Sequence, residues 1–320
     1  GKGWDFAPYA NWTMDALTTW PGFARQMKEL SGMDVALDQS GGYEFFTDPA
    51  EMAGFAAQLE QQAAHLNDRA SFEILSGDDL RSQLGGIGPE VVGASFSPRD
   101  GHVNPLRFLR ALRRSVHALG GCVTMGATVS TITPQPDGGF SLALANGQTL
   151  GAEMVVLCAG LDSTALAGGL GFETQVRPQR GELLITEKLG DRLPFLSSTI
   201  RQVDEGGIQI GGTKTETGMD DSESLDVMAG LARHAVTVFP ALADVRVVRA
   251  WGALRVMSPD GYPVYAKSAA HPGAFLVTCH SGVTLAPLHA SILAEWILNT
   301  STTPDMEAFD ERRFALSHAA

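Results

Sequence analysis

Cysteine is scarce in this 320-residue chain: Cys122, Cys158 and Cys279 are the only three. They are far apart and odd in number, and neither Cys-x-x-Cys nor His-Glu-x-x-His occurs, so neither a disulfide framework nor a zinc site is indicated. A reducing cytoplasm is the expected compartment. Positive charge is also short, with 23 Lys and Arg against 36 Asp and Glu for a net charge of −13. Such a field repels nucleic-acid phosphate and anionic membrane surfaces. No apolar run approaches the ~18 residues of a membrane span. Gly-x-Gly-x-x-Gly and the phosphate-loop motif are missing as well, so dinucleotide binding lacks its usual first sign. The chain opens on Gly1-Lys2-Gly3-Trp4, without initiator methionine, signal or transit peptide, and is expected to begin inside a longer one.

What is present reads as mixed α and β structure. Trp12, Ala16, Trp20, Phe23, Met27 and Leu30 recur at helical spacing over Pro8–Leu30, with a break expected at Pro21. Asp48-Pro49-Ala50-Glu51 combines an N-cap, a proline at the first helical position and a capping-box glutamate, starting a helix that runs to about Leu66. Gly42–Phe46 reads as a short strand. Asn104-Pro105 starts another helix, expected to bury Leu106, Leu109, Leu112, Val116 and Leu119 while Arg107, Arg110, Arg113 and Arg114 form a solvated face, before Gly120-Gly121 closes it.

From Cys122 the apolar period becomes two. Val123–Ile132, Phe140–Leu144 and Gln148–Ala152, with a turn at Asn146-Gly147, predict an antiparallel meander. Met154–Gly160 is an unbroken apolar run of the buried parallel type, ending in Ala159-Gly160, where a ligand could approach the backbone or the chain could simply turn. Glu182–Thr186, Ile208–Gly212 and Val245–Trp251 read as strands, and Glu223–Phe239 as a helix stopped by Pro240. A last strand, Ala274–Thr278, leads through Cys279-His280-Ser281-Gly282 into an apolar helix over Thr284–Leu298, with Pro287 near its first turn. Strand, glycine turn and helix are the layout of an α/β ligand crevice. The residues after about Phe314 are expected to fray.

Three segments could carry chemistry. Ala159-Gly160 is the first. The second holds Arg255, flanked by apolar residues, which must either pair with an internal carboxylate or await a carboxylate ligand. Pro259-Asp260-Gly261 just beyond it reads as a turn. In the third, His280 and Ser281 lack a Gly-x-Ser-x-Gly elbow and, as neighbours, point apart, which argues against a hydrolase; the helix start there suits an anion instead.

Taken in order, Asp100-Gly101-His102-Val103-Asn104-Pro105, Leu157-Cys158-Ala159-Gly160, Arg177-Pro178-Gln179-Arg180-Gly181-Glu182, Ile210-Gly211-Gly212-Thr213, Gly252-Ala253-Leu254-Arg255 with Ser258-Pro259-Asp260-Gly261, and His280–Pro287 make up a pattern. It resembles the FAD-dependent D-amino acid oxidase and glycine oxidase superfamily. With Gly1-Lys2-Gly3, it looks most like the branch holding the flavin subunits of opine oxidases, hydrogen cyanide synthase and D-hydroxyproline dehydrogenase. The resemblance implies an α/β, two-lobed fold: a Rossmann-like FAD domain over residues 1–40, 95–175 and 252–320, and a substrate domain with a mixed sheet over 41–94 and 176–251. It implies non-covalent FAD, contacted by Val129, Ala159, Gly160, Gly252, Gly282, Val283 and Thr284. Arg255 would be the catalytic residue and hold the substrate carboxylate, with His280 also at the substrate. The reaction implied is oxidation of the CH–NH bond of a small amino acid or secondary amine, by a dehydrogenase or oxidase, with an electron-transfer partner subunit. Family members carry a strand, Gly-x-Gly-x-x-Gly and helix ahead of the point where this chain starts, roughly 40 to 50 residues, more than one ~30-residue βαβ unit. The rival expectation is a truncated, non-catalytic relative with a partner-binding or structural role.

Overall fold

A computed structural model describes residues 5–67, 69–299 and 306–317. Gly1–Trp4, including the Gly1-Lys2-Gly3 part of the resemblance, lie outside the described residues, as do the last three residues of the expected frayed end. The elements in chain order begin with α1 (Ala7–Ser31), β1 (Gly42–Phe46), α2 (Pro49–Leu66), β2 (Glu73–Ser76), α3 (Gly77–Leu84), β3 (Gly93–Ser97) and α4 (Pro105–Ala118). Next come β4 (Val129–Pro134), β5 (Phe140–Leu144), β6 (Thr149–Ala152), β7 (Val155–Leu157) and the short α5 (Ser163–Ala167). Then follow β8 (Arg177–Lys188), β9 (Ile200–Gln202), β10 (Gly207–Gly211), α6 (Leu225–Val238), β11 (Val247–Met257), β12 (Val264–Lys267) and β13 (Ala274–Thr278). The chain closes with α7 (Gly282–Leu288), α8 (Ala294–Leu298) and α9 (Arg312–Ser317). They form two compact units, neither continuous in sequence: residues 1–121, 180–215 and 220–254, and residues 122–179, 216–219 and 255–320.

In the first unit, α1 buries Trp12, Ala16, Trp20, Phe23 and Met27 and passes through Pro21 without the expected break. Proline cannot donate to the carbonyl four residues back. The carbonyl left over, that of Leu17, instead accepts from Gln39 Nε2 at 3.1 Å. Asp48 caps α2 by accepting from Ala50 N at 2.7 Å. Asn104 caps α4, its Oδ1 accepting from the N–H groups of Leu106 and Arg107 at 3.1 and 3.2 Å.

The face of α4 that packs is not the one expected. Phe108, Ala111 and Ser115 are buried. Phe108 sits 5.3 Å from Trp20 and 6.2 Å from Phe23, between ring centroids, and Ser115 Oγ reaches Met27 Sδ. A stripe of one aromatic and two small residues lets α1 come close, and Leu106, Leu109 and Leu119 point outward at 72%, 66% and 71% exposure. Arg110 and Arg113 are exposed as expected, whereas Arg107 pairs with Asp204 at 2.8 Å.

Two sheets build this unit, in strand orders β1-β3-β2 and β11-β8-β10-β9. Tyr43 of β1 joins them, its N–H donating to Leu196 O at 2.8 Å. Strand alternation turns Leu184, Ile200, Ile208 and Ile210 to one side, where Met228, Leu231, Ala235 and Val238 of α6 complete an apolar core. Strands β8 and β11 extend past the predicted segments, and in β8 the added charge of Arg180 is accommodated. Arg180 and Glu182, 7% and 0% exposed, form an ion pair at 3.0 Å.

In the second unit, β4-β5-β6 is the expected meander, with the first strand starting at Val129 instead of Val123. The other sheet has the order β12-β13-β7, with β13 antiparallel to β12 and parallel to β7. The Met154–Gly160 run is not fully buried. Val155 and Leu157 enter the core, while Met154 and Val156, on the other face, are 41% and 40% exposed. Helix α7 starts earlier than predicted and puts Pro287 at its sixth position, beyond the first turn. A π-helical stretch, His289–Leu293, then separates α7 from α8. No described helix is long and apolar enough to cross a membrane.

Candidate functional site

The parallel pair β7–β13 sets the geometry of the second unit. Val155, Val156 and Leu157 lie opposite Ala274, Phe275 and Leu276. The segments that follow these strands, Ala159-Gly160 and Cys279 to Thr284, therefore leave from the same carboxyl edge, where α/β folds take ligands. Gly160 has φ +60°, a left-handed conformation that suits glycine. A Cβ placed there would lie 3.5 Å from Val256 Cγ2, so the residue after Arg255 borders the same turn. Val129, at the start of β4, and Ala159 pack on one apolar core.

On the β13 side, Gly282 opens α7, and a Cβ there would meet nothing nearer than Cys279 Sγ at 3.9 Å. Val283 is 47% exposed, Gly282 is exposed and Thr284 half-buried. His280 is half-buried in the loop before them. Burial, reinforced by Cys158, pushes the Cys279 thiol up to about 12, so it stays protonated and is no nucleophile. Arg255 is half-buried on β11, and burial lowers its pKa from the ordinary arginine value.

Gly252 stands apart from the other predicted cofactor residues, in the first unit. A Cβ on it would be 2.4 Å from Asp221 O, which gives this glycine a packing role of its own. Pro259-Asp260-Gly261 is a turn, closed by Gly261 N to Ser258 O at 3.1 Å. Asp260 is gripped by Arg313 through Nε at 2.7 Å and Nη2 at 3.0 Å. It is thereby occupied structurally.

Sequence reading missed a polar pair under α7. Tyr265, fully buried, has its hydroxyl 2.8 Å from His289 Nε2. Burial lowers the imidazole pKa to about 4, so His289 is neutral. The only available signal was a histidine in an apolar helix, which does not reveal its partner. Among the described residues no group of three or more His, Cys, Asp or Glu could hold a metal ion. A cavity of about 1100 Å³ elsewhere in this unit, between Lys267, Trp296 and Glu311, contains none of the predicted site residues.

Two parallel strands whose carboxyl ends lead into glycine-bearing turns, one opening a helix, define an α/β crevice of the nucleotide-cofactor type. Its backbone is unobstructed at Gly160 and Gly282, and the residues there fit the close approach of a flavin nucleotide. The whole-chain comparison agrees: residues 3–296 match the model of the DAO family, FAD dependent oxidoreductase, and the chain belongs to that family, whose cofactor is FAD. It is 39% identical over 320 residues to an opine oxidase subunit of Agrobacterium tumefaciens (strain Ach5), covering 100% of this chain and 86% of that one. It is 26% identical over 310 residues to hydrogen cyanide synthase subunit HcnC of Pseudomonas aeruginosa, covering 94% of this chain and 73% of that one. Among solved structures, glycine oxidase from Bacillus cereus superposes with a TM-score of 0.83 at 20% identity, over 92% of this chain and 81% of that one. The mixed α/β, flavoprotein-type fold is the one expected.

Proposed function

We propose that this protein oxidises the CH–NH bond of a small amino acid or secondary amine, and that Arg255 holds the substrate carboxylate. The observation that carries the reading is the shared carboxyl edge of β7 and β13, from which the turns at Gly160 and Gly282 leave, with Val256, next to Arg255, against Gly160. When bound there, FAD would supply a two-electron acceptor for the substrate's hydride. The chain's own work is orientation: a guanidinium fork on the carboxylate fixes which C–H bond faces the cofactor. His280 stands at the substrate side. Neither the protonated Cys279 nor the occupied Asp260 is available as a base, in keeping with hydride transfer followed by hydrolysis of the imine in water.

Val129, Ala159, Gly160, Gly252, Gly282, Val283 and Thr284 are assigned to FAD, within a cofactor domain of residues 1–40, 95–175 and 252–320. Residues 41–94 and 176–251 are assigned to the substrate domain. This division by ligand differs from the two compact units, in which residues 5–40 and 95–121 group with 41–94. The FAD is non-covalent, because the stretch before Pro259-Asp260 has no cysteine to attach it.

Electrons pass on to a partner protein. Two of the three similar proteins named above, the opine oxidase and hydrogen cyanide synthase chains, are described as subunits, and three scattered cysteines provide no iron–sulfur ligand set here.

The test is an absorbance spectrum of the full-length protein, followed by anaerobic bleaching with D-amino acids, opines, sarcosine and D-hydroxyproline. Loss of the flavin band with at least one of them is expected. A flavin band that no amine on the panel bleaches would overturn the reading. Flavin left bound to acid-precipitated protein would remove the non-covalent assignment.

A further inference from the structure

Strand β9 carries a cation that pairs with no carboxylate among the described residues. Ile200 and Ile210 face each other toward the α6 core, which turns the next cross-strand pair, Arg201 and Gln209, to the opposite side of the sheet. Arg201 is half-buried there. Its Nε and Nη2 both donate to the single neutral oxygen Gln209 Oε1, at 3.2 and 2.7 Å. No carboxylate is among its partners in the described residues. In the same unit, by contrast, Arg107 and Arg180 each reach carboxylates.

A guanidinium has five N–H donors, and the Nη1–Nη2 edge of this one is left to solvent or a ligand. Withdrawing such a charge from water beside only a neutral amide is unfavourable unless an anion joins it. Burial lowers the Arg201 pKa, and an arginine remains charged regardless. Burial first, and then the positive charges of Arg201 and Arg192, lower the pKa of the neighbouring His102, opposed by Asp38 and Asp204. His102 Nδ1 is buried with no hydrogen-bond partner among the described residues.

We propose that Arg201, backed by Gln209, is an anion subsite that takes the carboxylate of a small organic acid on its Nη1–Nη2 edge. A carboxylate fits this planar fork in bidentate fashion. One guanidinium on a chain of net charge −13 suits a singly charged group over a polyanion such as a phosphate ester. The subsite stands on Arg201 and Gln209 and does not require the function proposed above.

The test uses the full-length flavoprotein and titrates sodium acetate against acetamide at constant ionic strength, by calorimetry and by shift of the melting temperature. Acetate is expected to bind and acetamide to fail. Arg201→Met is expected to weaken acetate binding at least tenfold, with Arg201→Lys recovering part. Should Arg201→Met not fold, Gln209→Glu serves instead: it brings an internal carboxylate to the fork and should abolish acetate binding while raising the melting temperature. Acetate binding of equal strength in wild type and Gln209→Glu, or equal effects of acetate and acetamide on wild type, overturns the proposal. The source of the natural carboxylate is read from turnover. If it belongs to the substrate, Arg201→Lys raises KM for iminodiacetate and leaves KM for sarcosine in place. If it is a free acid, KM is unchanged for both and acetate alone alters the rate.

Discussion

Asn104 donates its Nδ2 to Asp204 Oδ1 at 2.8 Å, one hundred residues away in the chain. The same amide reaches Glu205 Oε2 at 2.8 Å, while its oxygen caps α4. One side chain thus starts a helix and ties it to the β9–β10 turn.

Substituting Asn104 tests this double role. Loss of an N-cap costs about 1 kcal/mol, and loss of bonds to charged groups about 1.5–3 kcal/mol more. Asn104→Ala is therefore expected to be roughly 2–4 kcal/mol less stable by urea denaturation. Asn104→Asp keeps a capping oxygen but adds a third carboxylate beside Asp204 and Glu205. It should be less stable than Asn104→Ser, and the reverse order would show that the cap alone matters.

The Arg180–Glu182 pair makes a different prediction. Removing one partner of a buried ion pair strands the other, at a cost of about 3–5 kcal/mol. Glu182→Leu should incur most of that, because Arg180 loses its buried carboxylate. The double variant Arg180→Met, Glu182→Leu should recover at least half of the loss in a denaturant double-mutant cycle. Additive losses would mean that the two charges are uncoupled.

Stability should fall as the solution is acidified through the range set by His289. Its folded pKa is lowered from 6.5 to about 4. Below about pH 6.5 the unfolded chain takes up a proton that the folded one refuses, so stability declines until the folded pKa is reached. The size is on the order of 3 kcal/mol over that window. His289→Leu should flatten this part of the pH profile in chemical denaturation. An unchanged slope would assign it to other groups.

Arg255 is tested by kinetics. Arg255→Met should raise KM strongly, corresponding to about 2–5 kcal/mol for a truncated buried charge pair, and Arg255→Lys should recover only part because the fork is lost. If Arg255→Met destabilises the fold and the surviving protein keeps its substrate affinity, Arg255 is a structural cation.

Much of the fold was legible where the signal is local. Asp48-Pro49 and Asn104-Pro105 mark helix starts through side-chain and backbone chemistry contained within four residues, and Asn146-Gly147 marks its turn the same way. The face of α4 was misread because periodicity identifies two apolar stripes without saying which one meets a neighbour. Phe108, Ala111 and Ser115 look less apolar than the leucines but fit against α1. Pro21 looked like a break because nothing near it reveals that Gln39 serves the stranded Leu17 carbonyl. At the site, the small residues after two apolar strands were readable. The parallel pairing that brings them together, the Tyr265–His289 bond and the Arg313–Asp260 grip join distant segments and leave no local trace.

The interleaving of the two units has a consequence for synthesis. Strand β7 cannot find its parallel neighbour β13 until 117 more residues, from 157 to 274, have been made. Likewise, β1, α3 and β3 must wait for β8, β9, β10 and α6 to complete their core. Neither unit can finish folding as it leaves the ribosome, and each waits with apolar strands exposed, a state prone to aggregation and in need of chaperones. Yield of native protein should therefore respond more to growth temperature and chaperone supply than the stability of the finished molecule would suggest.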